Sequence, residues 1–302
     1  MRQSENKMII VGTVKSKNVR TGNIGGTPTI SLDVVVQSKI EDRINEVRVN
    51  FFAKEGSKLY AMYKICADEL MTIKDNGNGT KVKITGSIEQ NDFMSKENSL
   101  ISNNRFKGLF INRLAEEDTT KECCSAAVEC VVLNTVDVIK DGIMTGEKSV
   151  QALVVGYNDN IIELKDLVIA PHLANQFANI YRPNTTGKLY ININNYAEVG
   201  ETTVQEQVKT AFGTAIDVGS NVVKNFVNNL EIVGGETPKV QGMGAYTLQE
   251  IAEMRQLREQ QKAKAMNKPT TTQNTQTTQP SGFGTAFGFG DLAPIEEGDI
   301  PF

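Results

Sequence analysis

The segment NEVRVNFF alternates apolar residues with a cation, an amide and an aromatic ring. Successive side chains of a β-strand point to opposite faces, so Val47, Val49 and Phe51 are expected inside a sheet. The opposite face then carries Arg48, Asn50 and Phe52. A guanidinium binds phosphate, and an exposed ring stacks on a flat base. This outer face is therefore a candidate surface for non-covalent binding of a nucleic acid.

Further cations lie on predicted strands. In KVKITGS, Val82 and Ile84 point inward, which leaves outward Lys81 and Lys83. The cations that flank the first turn are expected to contact phosphate, and they are Lys15, Lys17 and Arg20. The last strand carries Arg105 and Lys107, whose facing stays open because either 106/108/110 or 107/109/111 fits the inner set. The alternative for Phe52 is packing beneath a helix, and ordinary solvated strand charge is the alternative for Lys15, Lys17, Arg20, Lys81 and Lys83.

Catalysis finds little support in the residue types. The single histidine, His172, has no acid or nucleophile in a recognised spacing, and no G-x-x-x-x-G-K-[ST] phosphate loop occurs. The cysteines do not follow a zinc spacing, and they are Cys66, Cys123, Cys124 and Cys130. We therefore expect a non-enzyme with no cofactor, no metal and reduced, buried thiols.

The net charge of −4 is unevenly distributed. Residues 1–118 hold 18 Lys+Arg against 15 Asp+Glu, which gives +3, whereas 119–239 hold 9 against 14, which gives −5. The acidic total thus hides a first part of the chain that leans basic, and a local basic patch is what nucleic-acid binding needs. No apolar run is long enough for a membrane span, so the chain is expected in the cytoplasm.

Residues 8–114 read as three strands, a helix and two strands, which is the order of a five-stranded Greek-key OB barrel. The same order recurs about 105–120 residues later. We therefore predict a mainly β fold of tandem OB-fold (five-stranded Greek-key) barrels at 1–118 and 119–239. The alternative is one larger β-rich domain. The second barrel has few cations and is expected to extend the fold or to form a homo-oligomer contact.

The C-terminal part changes character twice. YTLQEIAEMRQLREQQKAKAMN has helical spacing of apolar residues and gives a predicted helix within 240–267. Residues 268–290 are rich in Thr, Gln, Gly and Pro and carry no charge after Lys268, which indicates a disordered linker. Residues 291–302 form an acidic tail that ends in Ile-Pro-Phe, and it is expected to bind a partner protein.

Four stretches resemble the bacterial and phage single-stranded-DNA-binding (SSB) proteins: MIIVGTVKSKNVRTGN, VNFFAKEGSKLY, KVKITGSIEQNDF and the C-terminal EEGDIPF. The resemblance covers roughly 8–114 and 268–302. It implies that Arg48 and Phe52 contact the DNA strand. It also implies that Phe93, placed in the loop after the fourth strand, stacks on a base, with a loop anchor as the alternative. At Glu46 the sequence departs from the aromatic of that family.

The resemblance implies sequence-independent binding and protection of single-stranded DNA during replication, repair or recombination. It further implies that the C-terminal tip recruits partner enzymes through Asp299, Ile300, Pro301 and Phe302. The competing interpretation is an OB-fold adaptor of a replication complex that has no strong affinity for DNA. The expected location is the bacterial cytoplasm or nucleoid, and the doubled barrel hints at a phage-encoded protein in a bacterial host.

Overall fold

Eleven strands dominate the computed structural model, which describes residues 1–115, 117–140, 142–202 and 221–267. The elements of the first half are β1 (Asn6–Ile24), β2 (Thr27–Ile40), β3 (Arg43–Lys54), α1 (Lys58–Glu69), α2 (Ile73–Asn76), β4 (Lys81–Met94) and β5 (Leu100–Arg113). Those of the second half are β6 (Cys123–Lys140), β7 (Ile143–Val155), β8 (Ile161–Leu164), β9 (Leu167–Ile169), α3 (Pro171–Ile180), β10 (Thr185–Thr202), β11 (Asn221–Gly235) and α4 (Leu248–Met266).

The first barrel closes in the order β1-β2-β3-β5-β4-β1. Antiparallel ladders join its strands except for a short parallel bridge between β3 and β5. Val47, Val49 and Phe51 of β3 are fully buried, as their alternation predicts. From α1, the ring of Tyr63 packs edge-on against Phe51 at 5.2 Å between centroids. Ser57 caps the first turn of this helix, because its side chain accepts a hydrogen bond from the Tyr60 N–H. The helix thus covers one end of the barrel core.

The second barrel repeats this topology. Its strands close in the order β6-β7-β9-β11-β10-β6, again with one parallel contact, between β9 and β11. The third strand is divided into β8 and β9 near Asp166, which has a positive φ of 52°. The prediction of tandem five-stranded OB barrels is therefore confirmed.

The two barrels share one continuous sheet. Strand β1 pairs with β4 of its own barrel and with β6 of the second barrel, from Asn6 opposite Val128 to Val11 opposite Cys123. A buried amide adds a second seam, because Asn45 Nδ2 donates to the Ile193 carbonyl at 2.6 Å and Asn45 Oδ1 accepts from the Asn195 N–H. These contacts fix the orientation of one barrel against the other.

Helix α4 packs on the second barrel and reaches the first. A capping box of Thr247 and Glu250 begins it, and its buried face includes Ile251, Met254 and Arg258. The predicted linker at 268–290 and the acidic tail at 291–302 lie outside the described residues. Within the described ranges, no helix has the length and apolar character needed to cross a membrane.

Candidate nucleic-acid interface

The outer face of β3 presents the residues that the alternation assigned to it. Arg48 is exposed and Phe52 is partly exposed, whereas Asn50 is buried by its neighbour on β2. That neighbour is Asp33, which accepts hydrogen bonds from the Asn50 amide and, at 2.8 Å, from the Arg20 guanidinium. Arg20 therefore balances the negative charge of Asp33 on this outer face.

A β-bulge decides which side of β5 faces out. Gly86 pairs with Gly108 and Thr85 pairs with Phe110, so Leu109 is the extra residue. The inner set is therefore Phe106 and Gly108, followed after the bulge by Ile111, and neither simple alternation is right for the whole strand. Gly108 has to be glycine, because a Cβ there would lie 2.1 Å from Cε1 of Phe51. Arg105, Lys107 and Phe110 consequently face outward.

The parallel register aligns the outward residues of β3 and β5. Asn50 pairs with Lys107, and two residues earlier on each strand Arg48 is level with Arg105. Two residues later, Phe52 is level with the bulge that precedes Phe110. We call these outward residues the β3–β5 strip, and they are Arg48, Asn50, Phe52, Arg105, Lys107 and Phe110. The strip combines cations and rings on one outer face of the first barrel.

Two cations of this strip are affected by their neighbours: Lys107 by an ion pair and Arg105 by burial. Lys107 Nζ lies 3.0 Å from Glu89 Oε1 on the adjacent strand β4. The Nε–H of Arg105 is buried and has no hydrogen-bond acceptor within the described ranges. A groove of about 300 Å³ lies beside Arg48, where Lys17 and Lys74 contribute further cations. Its remaining lining residues are Ser16, Asn18, Asp33, Val35, Thr72 and Asp75.

Phe93 does not lie in a loop, and that part of the sequence interpretation is wrong. Strand β4 continues to Met94, and Phe93 pairs with Ile101 of β5. The strand is longer than predicted because its hairpin with β5 rests on the second barrel, where Gln90 accepts from the Glu163 N–H and Asn104 donates to the Lys165 carbonyl. Phe93 is partly exposed and shares the outward column of β4 with Glu89.

The other predicted cations lie on β1 and at the beginning of β4, outside the strip itself. Lys15 forms an ion pair with Glu46, so the acid that departs from the SSB pattern is neutralised. Lys17 donates to the Ala67 carbonyl of α1. Lys81 and Lys83 lie at the beginning of β4, where Lys81 donates to the Asp118 carbonyl at 2.8 Å.

Lys81 and Lys83 also affect the carboxyl of Asp118, which lies between the two barrels in the sequence. Hydrogen bonds from Thr120, together with these two lysines, lower the pKa of the Asp118 carboxyl. Lys81 and Lys83 therefore lie close to the segment between the barrels.

Several cations of the second barrel are in ion pairs. Lys165 lies 2.8 Å from Glu163, Lys188 lies 2.8 Å from Glu5, and Lys148 pairs with Asp137. The cysteines are free thiols, and burial raises the pKa of Cys124 to about 11 and that of Cys130 to about 12. In the described part of the chain, no group of three or more His, Cys, Asp or Glu is placed to hold a metal ion.

Comparison with known proteins gives weak structural likenesses and one family. No curated protein matches the chain. The wild-type single-stranded DNA binding protein from Thermus aquaticus is 14% identical with a TM-score of 0.48, covering 79% of this chain and 95% of that one. A deletion mutant of the same protein is 13% identical with a TM-score of 0.48, covering 80% and 97%.

The mitochondrial single-stranded DNA binding protein Rim1 from S. cerevisiae is 16% identical with a TM-score of 0.28, covering 38% of this chain and 97% of that one. The family model is the broader match along the sequence. The model described as YorF matches residues 4–268, which is well over half of the 302 residues. The protein therefore belongs to the YorF family.

Proposed function

We propose that this protein binds single-stranded DNA without sequence preference through the β3–β5 strip and through Phe93, which lies farther along the same outer face. The observation that carries the proposal is the parallel pairing of Asn50 with Lys107 together with the bulge at Leu109, from which Arg48 is expected beside Arg105 and Phe52 beside the bulge. Cations that follow phosphates, beside rings that stack on any base, are what sequence-tolerant binding of a single strand requires. The biological setting would be replication, repair or recombination.

The direct test compares oligo-dT with duplex DNA of the same length in a salt-titrated gel shift. We expect binding to oligo-dT that grows with oligonucleotide length, and weak binding to the duplex. Three to four phosphate contacts predict a slope of about −2 to −3 for log K against log salt. Equal, weak binding to both DNA forms would contradict the proposal and would favour an adaptor whose barrels bind protein. Measuring the solution mass with and without oligo-dT would also report any homo-oligomer.

Two rings of the interface can be tested individually. Phe52→Ala and Phe93→Ala are each expected to weaken binding of oligo-dT by about 1–3 kcal/mol, because each removes one stacking surface. The melting temperature should stay near that of the wild type, since both rings are partly exposed. Tyr157→Ala is the matched control, because Tyr157 is 42% exposed on the second barrel. A large fall in melting temperature with unchanged affinity would place these rings in the core.

The C-terminal tip is proposed to recruit partner enzymes. Phe302 would fill an apolar pocket of the partner, and the preceding acids would steer the approach to a basic rim. Deleting residues 299–302 is expected to abolish capture of partners from a lysate of the host, with affinity for oligo-dT equal or higher. Loss of oligo-dT binding in the truncated protein would show that the tip has a different role.

A further inference from the structure

The ring of Phe110 is exposed, although it lies in the apolar run Leu109-Phe110-Ile111 of β5. The ring is 47% exposed, although its neighbour Ile111 is 4% exposed and lies in the core. The bulge at Leu109 causes this difference, because one extra residue turns Phe110 to the outer face. A second constraint keeps the bulge in place, since a Cβ on Gly86 would lie 1.9 Å from the Lys107 carbonyl oxygen. The outward position of the ring is therefore built into the pairing of β4 with β5.

The neighbours of Phe110 on β4 are polar and cationic, whereas the bulge residue Leu109 beside it is apolar and 41% exposed. Its cross-strand partner is Thr85, and the diagonal neighbour on β4 is Lys83. Lys107 precedes it on the outward side of β5, before the bulge. An aromatic face among cations complements a nucleobase with its phosphate better than it complements an apolar protein surface. The chemistry of the site thus indicates a nucleotide unit of a single strand.

The position of Phe110 separates it from Phe93. Phe110 lies opposite Thr85 of β4. Thr85 is eight residues before Phe93 on the same strand, and eight residues of a strand span about 26 Å. The two rings therefore cannot hold the same base or adjacent bases. Phe52, by contrast, is level with the bulge on the neighbouring strand β3.

We propose that Phe110, the ring that β5 contributes to the β3–β5 strip, is a base-stacking site for single-stranded DNA, and that the bound strand continues from it along β4 towards Lys83. The proposal rests on the proposed function, and it adds a contact that the sequence pattern did not assign. Stacking on the ring would leave the adjacent phosphate near Lys83 or Lys107. The site would take any base, because every base offers a flat face.

The chain contains no tryptophan, so single-tryptophan reporters can test the site. We expect oligo-dT to quench the fluorescence of Phe110→Trp and of Phe52→Trp, and to leave that of Tyr157→Trp on the second barrel unchanged. Quenching of Phe52→Trp without a response of Phe110→Trp would overturn the inference while leaving the proposed function intact. No quenching in any reporter, with no gel shift, would contradict the proposed function itself.

Substitutions at Phe110 separate stacking from apolar docking. Phe110→Ala and Phe110→Leu are both expected to weaken oligo-dT binding by about 5- to 150-fold, whereas Phe110→Tyr should retain it. Leucine keeps the apolar character but lacks a flat ring, so wild-type affinity in Phe110→Leu would overturn stacking. Circular dichroism and the melting temperature serve as folding controls, and Phe110→Tyr carries the test should the smaller residues impair folding: a loss of affinity in folded Phe110→Tyr would count against the proposal.

Discussion

Replacing Arg258 by methionine is expected to lower the free energy of unfolding by about 3–5 kcal/mol. The guanidinium is 3% exposed and forms two hydrogen bonds with Asp92 on the β4–β5 hairpin, one of them 2.8 Å long. It also contacts Glu163 of β8 at 3.4 Å. Removing one partner of a buried ion pair leaves the other charge without compensation, which is why the cost exceeds that of a surface pair.

The measurement is equilibrium unfolding in urea, with Arg255→Met as the matched control. Arg255 lies on the same helix, is exposed and donates to Asn184 at 2.9 Å, so its replacement should change the stability by less than about 1 kcal/mol. Combining Arg258→Met with Asp92→Leu should cost less than the sum of the two single changes, because both charges are then absent. Equal losses for Arg258→Met and Arg255→Met would mean that the buried pair does not hold α4 to the first barrel.

Glu129→Gln is expected to lower the stability by roughly 1–3 kcal/mol at about pH 7. The side chain is 3% exposed on β6 and accepts two hydrogen bonds from Arg2, at 2.7 and 2.8 Å, and one from Lys239. An amide would turn its NH2 group towards one of these cations, so one donor would lose its acceptor. The substitution should therefore loosen the N-terminal segment and the segment before α4 together.

The effect of Glu129→Gln should depend on pH with a defined sign. Burial alone would raise the pKa of Glu129, but the hydrogen bonds from Arg2, Lys239 and the Glu5 N–H outweigh it and lower the pKa to about 2. A carboxyl with a depressed pKa stabilises the fold above its ordinary value of 4.5 and loses this contribution as the pH falls towards 2. The difference between wild type and variant should thus shrink through that window.

Urea unfolding at about pH 7, about pH 4 and about pH 3 would follow the expected change. Glu69→Gln is the control, because Glu69 is 55% exposed in its pair with Arg113 and should contribute little at any pH. Glu163 should behave like Glu129. Burial alone would raise the pKa of Glu163, but hydrogen bonds from Lys165 and Lys262 outweigh it and lower the pKa to about 2. A stability difference that grew as the pH fell would be incompatible with an ionised, hydrogen-bonded Glu129.

Much of the candidate interface was predictable where a strand keeps strict alternation. On β3 the inner residues Val47, Val49 and Phe51 are buried, and Arg48 is exposed, because nothing interrupts the period of two. On β5 the same reasoning left two alternatives, since the extra residue at Leu109 is visible only against the partner strand. Phe110 was missed for this reason. In the sequence, Gly86 and Gly108 were the only indication of the bulge, because they pair directly beside it.

The sequence alone determined the order of elements, the interior of β3 and the outward face with Arg48 and Phe52. These follow from short-range periodicity, which local sequence encodes directly. Only the tertiary structure decided the pairing of β1 with β6, the extension of β4 to Met94 and the burial of Arg258 against Asp92. Each of these depends on contacts between residues far apart in the chain, and a strand or helix pattern does not specify which distant surface will cover it.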